Sequence, residues 1–385
     1  MLSRRSLLVT GGAAAVVAGI GVTGYVHGPG TAPAREPWNQ AGESFGDPRL
    51  DALAYAILAP NPHNRQPWWF ELVDEDRIDV YFDQNRRLPE TDPYDRQLTI
   101  GFGCMLELLR QAGAEKGYQV TVDPFPDGQP QPVLNGNRMA QVTFRRDGSV
   151  VPDPLFQSVL ARRSTKEPFD TSRAVSSQTL NSVLNAAQSN LKVDGTVSAD
   201  EINAITELAW QGWLIEYDTD RTRRESIDLM RFGNRAIAKN PDGIDMGGLS
   251  MGLMNVAGIV TPESLDKKGS QAYQTGIDMY EKIIKTAMGH VWIASDENSR
   301  ASQLEAGGAW VRLNLAAQRE GLCIHPLSQI LQEFPEMAEP YGAIREKLGA
   351  PSGGAVQMLG RIGYTNFPAA SPRWPLESRL MNGTA

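Results

Sequence analysis

A short basic segment in the middle of the chain constrains its fold and function more than any other feature. It carries Arg162, Arg163, Ser164 and Lys166, and it follows an apolar run opened by an Asp-Pro pair, the pattern of a helix N-cap and first turn. Such a set can bind a phosphate monoester, because arginine binds it bidentately, serine donates a hydrogen bond and lysine adds a mobile charge. The alternative interpretation is a solvated basic turn.

A second motif lies upstream, where residues 59–68 read Ala-Pro-Asn-Pro-His-Asn-Arg-Gln-Pro-Trp. The two segments resemble motifs of the FMN-dependent nitroreductase family. The basic segment is similar to its flavin-phosphate motif, Arg-x-Ser-x-Arg/Lys-x-Phe, and the upstream segment is similar to the Ser-x-x-Asn-x-Gln-Pro-Trp stretch that lines the flavin ring. Ordinary members have the phosphate motif first. The reversed order here resembles the Acg-type branch, in which two nitroreductase-like halves are fused in one chain.

The resemblance covers residues 45–380 and implies a fold and an organisation. The fold would be α+β, with two half-domains forming an intramolecular pseudo-dimer. We name residues 45–150, which carry the ring motif, the first half, and residues 151–380, which carry the phosphate motif, the second half. Each half lacks the motif of the other. The resemblance therefore implies one FMN per chain, bound at the junction of the halves.

The resemblance also implies roles for individual residues. The phosphate would be held by Arg162, Arg163, Ser164 and, from a late strand, Arg361. Lys166 would reach the N1/O2 edge of the ring, where a cation stabilises the anionic reduced flavin. The ring would be contacted by Pro62, His63, Asn64, Gln66 and the backbone of Leu327.

The resemblance requires no catalytic acid or base, because the flavin carries the hydride or electron chemistry. His63 and His325 are the candidates for proton donation, and a purely structural hydrogen bond is the alternative state of each. The four histidines of the chain show no H-x-x-H or H-E-x-x-H spacing, so no metal site is predicted.

Residues 1–34 are interpreted as a targeting segment. They contain a twin-arginine pattern at residues 3–8, a Gly/Ala/Val-rich run to Val26 and a small-residue cleavage site at residues 32–34. This predicts export of the folded protein to the periplasm, and an uncleaved membrane anchor is the alternative. A G-x-G-x-x-G match at residues 19–24 is rejected as a dinucleotide site, because no strand is predicted before it.

The implied activity is the reduction of small electron-poor compounds, either nitro compounds or quinones, through bound FMN. The electron donor would be NAD(P)H or a periplasmic or membrane partner. One alternative is a non-catalytic flavin-binding protein, with the glycine-rich residues 240–260 as a lid rather than an ordinary insertion. Another is a serine hydrolase that uses Ser250, Asp296 and His325, although turn-forming residues precede its G-x-S-x-G motif.

The net charge, the two cysteines and a faint internal repeat give three further expectations. A net charge of −8 disfavours a nucleic-acid partner. Cys104 and Cys323 lie in apolar segments, which favours buried thiols and leaves a disulfide open. Setting Gly117 against Gly321 also pairs Gly103 with Gly307, which predicts an equivalent long helix in each half. Small residues at 103, 307 and 308 would let these two helices approach closely.

Overall fold

The computed structural model describes residues 32–381 of the chain. The twin-arginine pattern and the rejected G-x-G-x-x-G match lie outside these residues. Residues 32–34, which the sequence assigns to the leader, form the first turn of helix α1 (Ala32–Gln40). Ala34 is buried, and its carbonyl accepts a 2.7 Å hydrogen bond from the backbone N–H of Arg373. These residues are therefore integrated into the folded protein.

The first half contains two helices and one antiparallel sheet, whose four strands lie in the order β1-β2-β4-β3. Its elements are α2 (Pro48–Ala56), β1 (Trp68–Val73), β2 (Arg77–Phe82), α3 (Arg96–Glu115), β3 (Tyr118–Pro124) and β4 (Arg138–Arg146). Helix α2 begins as its sequence predicts, because the side chain of Asp47 accepts the N–H of Arg49 and Pro48 occupies the first turn.

The second half contains an antiparallel sheet with the strand order β5-β8-β10-β9 and a small parallel pair, β6-β7. Its strands are β5 (Lys192–Thr196), β6 (Met230–Phe232), β7 (Ile244–Met246), β8 (His290–Ser295), β9 (Cys323–Pro326) and β10 (Ala355–Gly363). Its helices are α4 (Ser177–Asn185), α5 (Ala199–Asp218), α6 (Asp220–Asp228), α7 (Gly233–Lys239), α8 (Leu249–Val256), α9 (Pro262–Asp266), α10 (Gln271–Ile284), α11 (Arg300–Arg319) and α12 (Ala338–Lys347).

The long helices α3 and α11 hold the two halves together. A Cβ atom added to Gly103 would lie 2.0 Å from the carbonyl oxygen of Leu304, and one added to Gly307 would lie 2.0 Å from that of Ile100. The two backbones are therefore in direct contact, as predicted. Gly117 and Gly321 follow the two helices with similar positive φ angles of 75° and 71°. One continuous apolar core contains residues of both helices and both large sheets.

Several local predictions need correction. The Asp-Pro pair at 153–154 opens only a five-residue 3-10 helix, because the chain turns into the basic segment immediately afterwards. The Asp-Pro pair at 92–93 has the same pattern and predicts a helix start there, but α3 begins at Arg96, and the carboxylate of Asp92 accepts the N–H groups of Gln97 and Leu98. Residues 240–260 contain strand β7 and helix α8 rather than an irregular loop.

The two cysteines are free and buried, as predicted. Cys104 donates its S–H to the carbonyl of Gly307 at 3.1 Å, and burial raises the pKa of this thiol to about 12. Within residues 32–381, no helix is long and apolar enough to cross a membrane.

Candidate functional site

A cavity of about 270 Å³ lies between the two halves, close to the lower end of the usual range for small-molecule sites. Seven of the ten predicted site residues line it: Pro62, His63, Asn64, Arg162, Arg163, Ser164 and Lys166. The long helices add apolar side chains, including Ile100 and Trp310, and strand β10 adds Met358. The structure therefore brings both sequence motifs to one place, although roughly a hundred residues separate them in the chain.

The basic segment is held at the edge of the second sheet. Ser164 forms a parallel bridge with Ile324 of strand β9, and the N–H of Thr165 donates to the carbonyl of Ile324 at 3.1 Å. Thr165 is fully buried, whereas Ser164 and Lys166 are exposed. The segment is therefore an anchored strand-like element beside the cavity and not a solvated turn.

The ring motif forms a strained loop on the opposite side. His63, Asn64 and Gln66 have φ angles of 48°, 50° and 49°, a left-handed conformation that is unfavourable for residues with side chains. The Oδ1 of Asn61 accepts the N–H of Gln66 at 2.8 Å and closes the loop. Such backbone strain concentrates at functional sites, where the surrounding structure maintains it.

Three arginines form a cluster beside the cavity, in which Arg162 and Arg373 are buried and Arg163 is half-buried. Arg162 and Arg373 both donate to the carbonyl of Leu58, at 3.2 and 3.0 Å, and the guanidiniums of Arg163 and Arg373 lie 4.7 and 5.6 Å from the ring centre of Trp38. Burial, together with the charges of neighbouring guanidiniums, lowers the pKa of Arg162 to about 10 and that of Arg373 to about 9.

This cluster has the properties of an anion site. Within the described part of the chain, Arg162, Arg163 and Arg373 form no ion pair with a carboxylate, and the buried Nε of Arg162 has no hydrogen-bond partner. Buried cations are normally paired, because removing an unpaired charge from water is costly. A phosphate would supply both the missing charge and the missing acceptor. Sequence analysis missed Arg373, which belongs to no motif and is placed here by the folding of the C-terminal segment.

Arg361, which was predicted to hold the phosphate, does not line the cavity. Its side chain is fully buried and donates to Nδ1 of His325 at 2.9 Å and to the carbonyl of Glu167 at 2.6 Å. It also lies 3.9 Å from the ring centre of Phe169. Arg361 therefore organises the segment that follows Lys166, whereas Arg373 lies beside Arg162.

The two amides of the ring motif hold the C-terminal segment. Gln66 lies outside the cavity lining, since its Nε2 donates to the carbonyl of Pro241 at 2.8 Å and its Oε1 accepts the N–H of Trp374 at 2.8 Å. Asn64 lines the cavity, but its Nδ2 donates to the carbonyl of Pro372 at 3.0 Å. These bonds occupy the groups that were predicted to pair with a flavin ring.

Leu327 and His325, which were also predicted to act at the site, form hydrogen bonds within the protein. The N–H of Leu327 donates to the carbonyl of Leu359 at 2.8 Å, so this backbone group belongs to the protein interior, and only the neighbouring residues Pro326 and Ser328 line the cavity. His325 accepts the Nε–H of Arg361 at Nδ1, where a hydrolase triad needs a carboxylate. The side chain of Ser250 lies outside the described part of the protein.

His63 is the lining residue with the most informative polar contacts. Its Nε2 lies 3.2 Å from Oγ of Ser226, whose hydroxyl is 3.3 Å from Oε1 of Glu216. Its Nδ1 is buried and has no partner among residues 32–381. Burial, together with the charges on Lys166 and Arg65, lowers the pKa of His63 to about 3, so the imidazole is neutral near pH 7.

Curated proteins have sequences similar to part or to most of this chain. No family model matches the chain. The "Uncharacterized protein Rv3127" of Mycobacterium tuberculosis is 32% identical over 126 residues, which are 31% of this chain, and the match spans only 35% of that relative's length. The "Putative NAD(P)H nitroreductase Rv3131" of the same organism is 24% identical over 328 residues, covering 82% of this chain and 85% of that protein.

The relatives support the nitroreductase superfamily. Solved nitroreductase structures align with part of this chain. One is the FMN-dependent nitroreductase NfnB from Mycobacterium smegmatis in complex with NADPH, with 17% identity, a TM-score of 0.36 and coverage of 58% of this chain and 94% of that one. Another is a nitroreductase with bound FMN from Bacteroides fragilis, with 13% identity, a TM-score of 0.34 and coverage of 56% and 89%.

Proposed function

We propose that this chain is an FMN-dependent oxidoreductase of the nitroreductase type. The observation that carries the proposal is the cavity between the halves, which is lined by the strained loop of residues 61–66 and by an arginine cluster that has no carboxylate partner among residues 32–381. The long helices in direct contact support a pseudo-dimer of two fused half-domains, with one flavin per chain. The implied substrates are small electron-poor compounds, either nitro compounds or quinones.

The residues present fit FMN in two respects. Arg162, Arg163 and Arg373, together with the exposed Ser164, would hold the phosphate, because they combine uncompensated positive charge with hydrogen-bond donors. The apolar side chains on α3, α11 and β10 would contact the ring. When bound, FMN supplies the hydride or electron transfer, and the protein supplies position and electrostatics.

Lys166 fits a role near the electron-accepting part of the ring. It is exposed at the cavity and forms no hydrogen bond or ion pair with any residue of the described segment. A cation that is not already neutralised can favour the negatively charged reduced form of the cofactor. This role rests on the motif resemblance together with the position of Lys166 in the cavity wall.

One observation favours the alternative of a flavin-binding protein that does not turn over. Gly243, Ile244 and Asp245 also line the cavity, and this segment is fastened to the ring-motif loop. The N–H of Gly243 donates to the carbonyl of Asn64 at 3.3 Å, and Gln66 donates to the carbonyl of Pro241. A segment fixed in this way would restrict access of a substrate to the cofactor.

We retain export by the twin-arginine route as a proposal, with an uncleaved anchor as its alternative. A periplasmic location would favour a periplasmic or membrane electron donor, whereas NADPH accompanies the similar Mycobacterium smegmatis structure. Adding NAD(P)H to the flavin-loaded protein without air separates these cases: reduction by NAD(P)H followed by reoxidation with a nitro compound or quinone indicates a reductase. An unreduced flavin that chemical reductants also fail to reach indicates a closed binding protein.

The first test is the absorbance spectrum of the purified protein, with FMN quantified after release. We expect about one flavin per chain and a weaker complex in Arg162→Ala, since one charge-assisted hydrogen bond contributes about 1.5–3 kcal/mol, or roughly a ten- to hundredfold change in Kd. Arg145→Ala is the matched control, because Arg145 is exposed on β4 and outside the cavity. A colourless protein that FMN cannot reconstitute would refute the proposal, and two flavins per chain would refute the single shared site.

A further inference from the structure

A buried carboxyl group lies behind the cavity and is connected to it. Glu216 is located near the C-terminal end of helix α5 and is 8% exposed. Its Oε2 accepts the Nε2–H of Gln332 at 2.6 Å, and its Oε1 lies within hydrogen-bond distance of Ser226 on helix α6. Ser226 in turn contacts Nε2 of His63. A continuous hydrogen-bonded chain thus runs from a buried acid to a residue of the cavity wall.

The environment of Glu216 keeps a proton available near neutral pH. Burial raises the pKa of its carboxyl to about 7, which exceeds the opposing effects of the hydrogen bonds from Gln332 and Ser226 and of the charge on Lys166. The nearby carboxylate of Glu225 contributes to this increase. His63 has the opposite tendency, because burial disfavours its charged form. The acid is therefore a proton source, and the imidazole is a neutral link.

We propose that Glu216, Ser226 and His63 form a relay that delivers protons to a molecule bound in the cavity. The inference rests on the proposed function for its purpose, because transfer of a hydride to an electron-poor substrate creates an anion that must take up one proton. His63 would donate that proton directly, and Glu216 would be a positioning residue that replaces it through Ser226. The substrate class this favours is one whose reduced product is protonated on oxygen or nitrogen, as for a nitro compound or a quinone.

The proton balance follows from the two tautomers of His63. Before transfer, the Glu216 carboxylic acid donates to Ser226, the Ser226 hydroxyl donates to Nε2, and the proton of His63 is on Nδ1. After transfer, the Nδ1 proton has gone to the substrate anion, Nε2 carries the proton received from Ser226, and Glu216 is a carboxylate. One proton leaves Glu216, one reaches the substrate, and His63 is never charged. Nδ1 of His63 has no hydrogen-bond partner in the described part of the chain, as this scheme requires.

Nitrogen NMR of the histidine side chains tests the relay in the flavin-free protein. The chain contains four histidines, so the spectrum is tractable. We expect His63 to change from the Nδ1–H to the Nε2–H tautomer as Glu216 loses its proton near pH 7, without becoming charged. Glu216→Gln should fix the Nδ1–H tautomer at every pH, and Ser226→Ala should uncouple His63 from Glu216. A His63 tautomer that ignores the titration of Glu216 would overturn the proposal.

The pH profile of substrate reduction provides a second, independent readout. The rate in the unmodified protein should fall above about pH 7, and we call this decrease the alkaline limb of the profile. Glu216→Gln should remove the alkaline limb and lower the rate by on the order of a hundredfold. The flavin content should be unchanged. Asp92→Asn is the matched control, because burial raises the pKa of Asp92 to about 6 but this carboxyl has no contact with His63. The control should keep the limb.

The two proposals can fail separately. If the protein binds FMN and reduces substrate but Glu216→Gln leaves the pH profile intact, the relay is refuted and the proposed function stands. If the protein binds no FMN, the proposed function is refuted, and the NMR titration alone decides whether the carboxyl and the imidazole are coupled.

Discussion

Nη1 of Arg373 donates a 2.6 Å hydrogen bond to Oδ1 of Asn64. This contact joins the ring-motif loop near the start of the first half to a segment only twelve residues before the end of the chain. The N–H of Trp374 adds a second connection to the side chain of Gln66. The amides of the ring motif thus fix the C-terminal segment, and through it they place a third arginine beside Arg162.

Replacing Arg373 by lysine should destabilise the protein although the charge is retained. Arg373 donates to the carbonyls of Ile57, Leu58 and Ala59 in addition to Asn64. Lysine has fewer N–H donors than arginine, and they are all on one nitrogen atom. Lysine would therefore leave buried acceptors unsatisfied, which costs about 1–3 kcal/mol. The free energy of unfolding from urea titration measures this loss. Arg145→Lys on the protein surface should change it by less than about 0.5 kcal/mol, and equal effects of the two variants would contradict the prediction.

The contact between the long helices predicts opposite outcomes for neighbouring glycines. Gly307→Ala should lower the free energy of unfolding by at least about 2 kcal/mol, because its Cβ would lie 2.0 Å from the carbonyl oxygen of Ile100. Gly308→Ala should be neutral or stabilising by up to about 1 kcal/mol, since the nearest atom is 3.8 Å away and alanine is the better helix former. Thermal and urea unfolding of both variants provide the comparison. A well-tolerated alanine at 307 would show that the helices are not in backbone contact there.

The raised pKa of Glu216 predicts a specific pH dependence of stability. Between pH 4.5 and about 7 the folded protein binds more protons at this site than the unfolded chain, so the contribution of Glu216 to stability decreases as the pH rises. The full difference is about 3 kcal/mol. To measure it, the free energy of unfolding of the unmodified protein and of Glu216→Gln is determined at both pH values. The difference between the two proteins should change by this amount from one pH to the other. Contributions from Asp92 and His290 are present in both proteins and cancel, and a difference independent of pH would refute the assignment.

Removing the charge of Lys166 should affect the electronic properties of a bound flavin more than its affinity. Lys166 is exposed and has no hydrogen-bond or ion-pair partner in the described segment, so Lys166→Met should fold normally. Loss of a cation near the reduced cofactor should lower its midpoint potential by tens of millivolts, where about 30 mV corresponds to 1.4 kcal/mol for two electrons. Spectroelectrochemical titration measures the shift. Lys192→Met, at the exposed first residue of strand β5 and outside the cavity lining, should leave the potential unchanged.

The elements of regular structure were largely readable from the sequence because local signals specify them. Asp47-Pro48 begins helix α2, β1 and β2 flank the polar residues 74–76, and the spacing of small residues predicted the contact at Gly103 and Gly307. Helix α8 was missed because its glycines disfavour a helix by propensity, which tertiary structure overrides. Strand β9 was missed because four residues give too little periodic signal.

The sequence alone determined the chemical types present at the site: the guanidiniums, hydroxyl and ammonium of residues 162–166 and the histidine and amides of residues 59–68. Only the tertiary structure decided which of them face the cavity. The side chains of Arg361 and Gln66 form hydrogen bonds within the protein and do not line the cavity. Arg373, which belongs to no motif, completes the arginine cluster. The hydrogen-bonded connection of His63 to Glu216 could not be predicted from the sequence either. The two residues are 153 positions apart, and their connection depends on how helices α5 and α6 pack against the loop. Local sequence encodes what a side chain can do, and its partners depend on long-range packing that no short pattern records.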